Sequence, residues 1–195
     1  TMSEIKKSAW VFLLWSTIAG KISFFIGAVI VSMVYVYVGL FSFMFPALAG
    51  GIGGLILGIF LNKYHEIGKM TVVGMTAVPI GYLSPIYWRS AMDLFWIRDE
   101  YLIVFMGLIC GAISGAIIYG RKSIGLFSVS GGLISFLFGK VVSLFNSGHP
   151  IKRSLANLLD VFGSIDLSFL VIITSFGTGI GLSIGLFRMR NQKST

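Results

Sequence analysis

The chain has 195 residues, 56% of them apolar, 25 of them glycine and only 11% charged, against about 25% charged in an ordinary globular domain. Mean hydropathy is +0.93, which leaves too little polar surface to cover a water-soluble core of this size. A cytosolic enzyme, a disordered tail and a disulfide-stapled secreted domain are excluded, the last because Cys110 is the single cysteine.

A bilayer core about 30 Å thick takes about 20 helical residues at 1.5 Å each, so uncharged runs read as crossings. From Ile22 to Asn62 there are 41 residues without a charge, about 62 Å of helix and therefore two crossings. Pro46 marks the restart, because a first helical turn tolerates proline's missing N–H. The predicted fold is all-α, one transmembrane domain over 1–195 with six spans arranged as three helical hairpins. They are TM1 22–43, TM2 46–62, TM3 70–88, TM4 101–120, TM5 124–146 and TM6 167–187. Ahead of them, 4–19 reads as an interfacial helix anchored by Trp10 and Trp15, with Lys21 at the headgroups. The alternative is a TM1 that begins near Ala9 and carries Lys21 into the membrane. TM3 holds Gly74, Pro79, Gly81 and Pro85 and is expected to kink or break. After TM5, Pro150 opens a short amphipathic helix, 150–162, with Ile151, Leu155, Leu158, Leu159 and Phe162 on its apolar face. That helix is expected on the outer membrane surface.

Six crossings place both termini on one side. Loops on that side carry Lys6, Lys7, Lys63, Lys69, Arg121, Lys122, Arg188, Arg190 and Lys193 against Glu4 and Glu66, a net of +7. The opposite loops carry four basic residues against five acidic, a net of −1. Basic loops stay inside, so both termini are predicted to be cytoplasmic and the protein to be multi-pass in the cell (inner) membrane. The same distribution explains the formal charge of +8 as a topology signal, and no nucleic-acid partner is expected.

Glycine recurs at four-residue spacing in each even-numbered span, at Gly50, Gly54 and Gly58, at Gly107, Gly111 and Gly115, and at Gly177, Gly181 and Gly185. Residues four apart share a helical face, and a glycine face lets another backbone come close. The expected arrangement is a glycine-zipper seam formed by TM2, TM4 and TM6, the repeating unit being a hairpin used three times. Glycine faces that line a narrow path or join protomers are the alternatives.

Lys140 is the charge predicted inside a span. It reads either as a lysine snorkelling to the outer headgroups or as an anchor for an anion, with Tyr82, Tyr87 and Trp88 at the outer end of TM3 as further ligand candidates. All seven acidic residues fall in loops, so no span offers a carboxylate for proton or cation coupling. His65 and His149 fall on opposite sides, so no metal site, cofactor or catalytic pair is expected. Ser128, Ser130, Gly131 and Gly132 are similar to the Gly-x-Ser-Gly stretch of the rhomboid intramembrane proteases. That chemistry needs a histidine on a neighbouring span, and no span here has one, so no enzyme is predicted. The function expected is a solute-handling transport subunit that works in the bilayer with other membrane subunits or as a homo-oligomer. The alternative is a non-transporting interaction protein, either an assembly factor or an immunity protein that binds a pore-former. In size and span number the chain is similar to the substrate-capture subunits of energy-coupling-factor vitamin transporters, which take solute from outside and depend on separate ATPase and coupling proteins. An outward-facing cavity between TM3, TM5 and the 147–166 loop separates the two readings: a solute handler is expected to have one of at least ~300 Å³, whereas an interaction protein can be packed solid.

Overall fold

Where no water can reach the backbone, its N–H and C=O groups must pair within the segment, and a helix is the local way to do so. The computed structural model describes residues 2–38, 44–91, 99–146 and 167–191, and every regular element among them is helical. The helices are α1 (Met2–Val38), α2 (Met44–Phe60), α3 (Ile67–Ala91), α4 (Asp99–Tyr119), α5 (Ile124–Asn146) and α6 (Leu167–Asn191). Five of them, all but α2, are long and apolar enough to cross a bilayer. These are the helices of a multi-pass membrane protein. α2 has 17 residues, about 26 Å of helix.

Each helix packs on the next in chain order, and α6 closes the arrangement by packing on both α1 and α5. It also touches α2 and α4, so it sits towards the middle of the bundle. From Phe169 to Gly185 only Val171 and Leu182 are half-buried and the rest are buried. Outward faces carry apolar side chains instead, such as Leu14, Ile18, Val72, Val129 and Leu133. A soluble bundle would not leave such residues in water, whereas lipid accepts them.

Two short turns set the register. α2 is closed off just past its end by Asn62, whose φ of 54° is left-handed. The Lys63 N–H reaches back to the Gly58 carbonyl at 3.0 Å and the Asn62 N–H to Ile59 at 2.9 Å, so the last carbonyls of α2 are satisfied. α4 is followed by Gly120 with φ 80°, and buried Ser123 has its hydroxyl 2.8 Å from both the Gly115 and the Gly120 carbonyl, to which it donates. Both turns then pass through one 3-10 turn, Tyr64–Glu66 and Arg121–Ser123, into α3 and α5.

Chains reversed so tightly must run side by side, and this decides where the glycines go. A Cβ at Gly50 or Gly54 of α2 would run into the carbonyl of Gly74 or Met70 of α3. One at Gly107 or Gly111 of α4 would meet the Gly131 or Phe127 carbonyl of α5, and one at Gly177 or Gly181 of α6 the Gly20 or Ser16 carbonyl of α1. The third glycines, Gly58, Gly115 and Gly185, abut Ile67, Phe127 and Leu13. The triplets therefore do not meet one another in a common seam. Each seats its helix on an odd-numbered neighbour, as three antiparallel pairs, α2–α3, α4–α5 and α6–α1. The first two pairs superpose along the chain with a 57-residue offset, Gly50 to Gly107, Gly54 to Gly111, Gly58 to Gly115 and Gly74 to Gly131.

Two expectations about continuity are corrected. α1 is one helix from Met2 to Val38, with no division between an interfacial 4–19 segment and a crossing at 22–43. Gly20 does not interrupt it because that position is where the Gly177 backbone of α6 comes in, and exposed Lys21 stays on the outer face. The break that is one outcome expected for TM3 is likewise absent, since α3 runs from Ile67 to Ala91 through Pro79 and Pro85. Against it Gly81 packs on Cys110 and Met106 of α4. The amphipathic helix expected at 150–162 lies outside the described residues.

Candidate functional site at the turn end of the bundle

The end of the bundle that holds the two short turns contains a cavity of about 560 Å³. Four elements converge on it. α1 contributes Phe12, the turn after α2 contributes Lys63, and the last residue of α4 is Tyr119. α6 supplies Ile184, Phe187, Arg188 and Asn191. Buried Ile184 lies innermost, and the exposed Arg188 and Asn191 lie towards the mouth.

Packing fixes the walls. Tyr119 stacks on Phe187 with ring centroids 4.2 Å apart and interplanar angle 20°, and it meets Phe127 at 5.8 Å. The two cations are held differently. Lys63 Nζ is 2.7 Å from Glu66 Oε2 and 5.7 Å from the Tyr119 ring centroid. Its partial burial works against the charged form. Hydrogen bonding and charge attraction from Glu66 and Tyr119 outweigh that and hold its pKa above the ordinary 10.5. Arg188 sits over the Phe12 ring with Cζ 4.1 Å from the centroid. No carboxylate among the described residues reaches it. A cation over an aromatic face gains about 0.5–1 kcal/mol and leaves the in-plane N–H donors of the guanidinium unspent.

Most hydroxyls of the core are occupied elsewhere, the buried Ser32 and Ser84 hydroxyl oxygens having no partner among the described residues. Ser16, Ser23, Ser114, Thr174, Thr178 and Ser183 each donate to a carbonyl three or four residues back in their own helix, at 2.6 to 3.0 Å. Ser128 donates to the Leu108 carbonyl of α4 at 3.1 Å. Trp15, expected as an interfacial anchor, donates its indole N–H to the Phe60 carbonyl at 3.1 Å and so ties α1 to the end of α2.

The ligand candidates read from the sequence are dispersed. Lys140 is on the exposed face of α5 among exposed Phe136, Leu137 and Val141, its Nζ 5.5 Å from the Phe136 centroid. Tyr82 of α3 is half-buried and meets Phe169 of α6 edge-on at 5.7 Å, and Phe169 in turn packs on Phe45 of α2 at 4.4 Å. Tyr87 is 70% exposed. The Trp88 side chain and the 147–166 loop lie outside the described residues. Lys140, Tyr82 and Tyr87 do not border the turn-end cavity. The residues that do border it were missed as a site, although Lys63 and Arg188 are basic residues that closely follow glycine triplets. Comparison with family models, with curated proteins and with solved structures finds no match.

Proposed function

We propose that the chain is a six-span protein of the cell (inner) membrane with both termini cytoplasmic, working as a solute-handling transport subunit beside partner subunits. The sixth span is α2. Its 17 residues are near the lower limit for a crossing, and it lies antiparallel along α3 from Gly50–Gly74 to Gly58–Ile67. The glycine-packed pairs are one helix-pair unit used three times, a reading supported for α2–α3 and α4–α5 by the 57-residue offset and for α6–α1 by the same glycine-to-carbonyl packing. In chain order the unit is shifted by one helix from a TM1–TM2, TM3–TM4, TM5–TM6 division.

The observation that carries the solute-handling reading is the turn-end cavity. At about 560 Å³ it falls in the size range of small-molecule pockets, with apolar walls and a few convergent polar groups. The net of +7 supports a cytoplasmic setting for this end, and on that reading solute enters or leaves the site from inside, unlike capture from outside. Native mass spectrometry of the gently solubilised full chain tests the reading. A retained small molecule together with partner-subunit masses is the expected result. A bare chain with neither would overturn it.

One observation favours the non-transporting interaction protein as a second reading. The helix pairs touch backbone to backbone and six of the buried hydroxyls are spent on carbonyls of their own helices, an interior built for packing. On that reading the same spectrum shows a partner subunit and no small molecule.

A further inference from the structure

We propose that the turn-end cavity takes a singly charged organic anion with an apolar body, an inference that rests on the solute-handling reading and names its ligand class. The charge follows from the residues. Lys63 and Arg188 both line the cavity, but Lys63 is already neutralised by Glu66 at 2.7 Å. Arg188 is held only by the Phe12 face among the described residues. Among the described residues that line the cavity, one positive charge is left without a carboxylate, and it matches one negative charge. A multiply charged ligand would bring negative charges with no partner into a partly desolvated site, which is unfavourable.

The shape of the anion follows from the donors. A guanidinium presents a planar fork that pairs with two oxygens at once, as in a carboxylate or a phosphodiester. The Asn191 side chain borders the same space. The apolar body follows from the walls, since Phe12, Phe187, Ile184 and the Tyr119 ring line the rest of this open cavity. Exposed Arg121, Lys122 and Arg190 at the same end steer anions towards the mouth but are screened by salt and contribute little once the ligand is bound.

Such a monoanion has two sources, a soluble organic acid and the headgroup of an anionic lipid. The test uses the full chain in an uncharged detergent and three probes, 1-naphthoate, phosphatidylglycerol and ATP. Calorimetry reads naphthoate and ATP, and native mass spectrometry reads retained lipid. Naphthoate is expected to bind, ATP to bind more weakly, and Arg188→Gln to weaken naphthoate by about 10- to 100-fold with unchanged melting temperature. Arg188→Lys should recover part of the loss. Arg188-dependent retention of phosphatidylglycerol without naphthoate binding would uphold the monoanion site and overturn the solute-handling reading. The inference is overturned if neither monoanion binds, if Arg188→Gln leaves both unchanged, or if ATP binds more tightly than naphthoate. A different small molecule retained equally by wild type and Arg188→Gln would also overturn it, while leaving solute handling in place.

Discussion

Lys140 shows what a single charge can and cannot reveal in a membrane sequence. Its place inside a span was legible from the uncharged residues on either side. The direction it faces was not, because that depends on how α5 is rotated against α4 and α6. On the exposed face of α5, beside exposed Phe136, Leu137 and Val141, it lies away from the turn-end cavity. Lys140→Met keeps the length and removes the charge, so the melting temperature should stay equal or rise and ligand occupancy should not change. A fall in occupancy of about 10-fold or more would restore an anchoring role for Lys140. Lys63 and Arg188 present the reverse case. Both were legible as basic loop residues and counted towards topology. Their meeting in one cavity across Tyr119 joins residues more than 100 positions apart, which no local pattern encodes.

At the scale of elements, charge punctuation was a good guide to where helices begin and end, and α5 spans the expected 124–146. It failed at α1, where Gly20 and Lys21 suggested a break. A glycine weakens a helix by only about 1 kcal/mol, and close packing against Gly177 offsets that. The glycine triplets announced that a backbone approaches each even helix but not which one. The missing half of the signal was one glycine in each odd helix, Gly20, Gly74 and Gly131, which faces the first glycine of each triplet. Gly54→Leu, Gly111→Leu and Gly181→Leu should each destabilise severely, because the first added carbon already meets a neighbouring carbonyl and overpacking typically costs about 1–3 kcal/mol or more. Gly125→Ala is the control. Nothing lies within 4 Å of a Cβ added there, so stability should hold or rise by up to ~1 kcal/mol. Thermal melts of the purified variants decide it, and unchanged melting temperatures in all three leucine variants would contradict the pairwise packing.

For the whole molecule, the pairing of the first helix with the last makes the bundle a closed cycle, so α6–α1 repeats through space what α2–α3 and α4–α5 achieve through tight turns. The same closure brings the start of α1 and the end of α6 to the end that holds both turns, where the cavity and most of the basic residues are. The central claim is that this end faces the cytoplasm and presents the site there. Impermeant thiol labelling in intact cells tests it most directly. His65 and Lys122 are exposed on the two turns, Ser123 is buried and unsuitable, and the native Cys110 is buried in α4. His65→Cys and Lys122→Cys should stay unlabelled until the membrane is opened, while Asp99→Cys reacts in intact cells. Labelling of His65→Cys in intact cells would put the cavity outside and contradict the account.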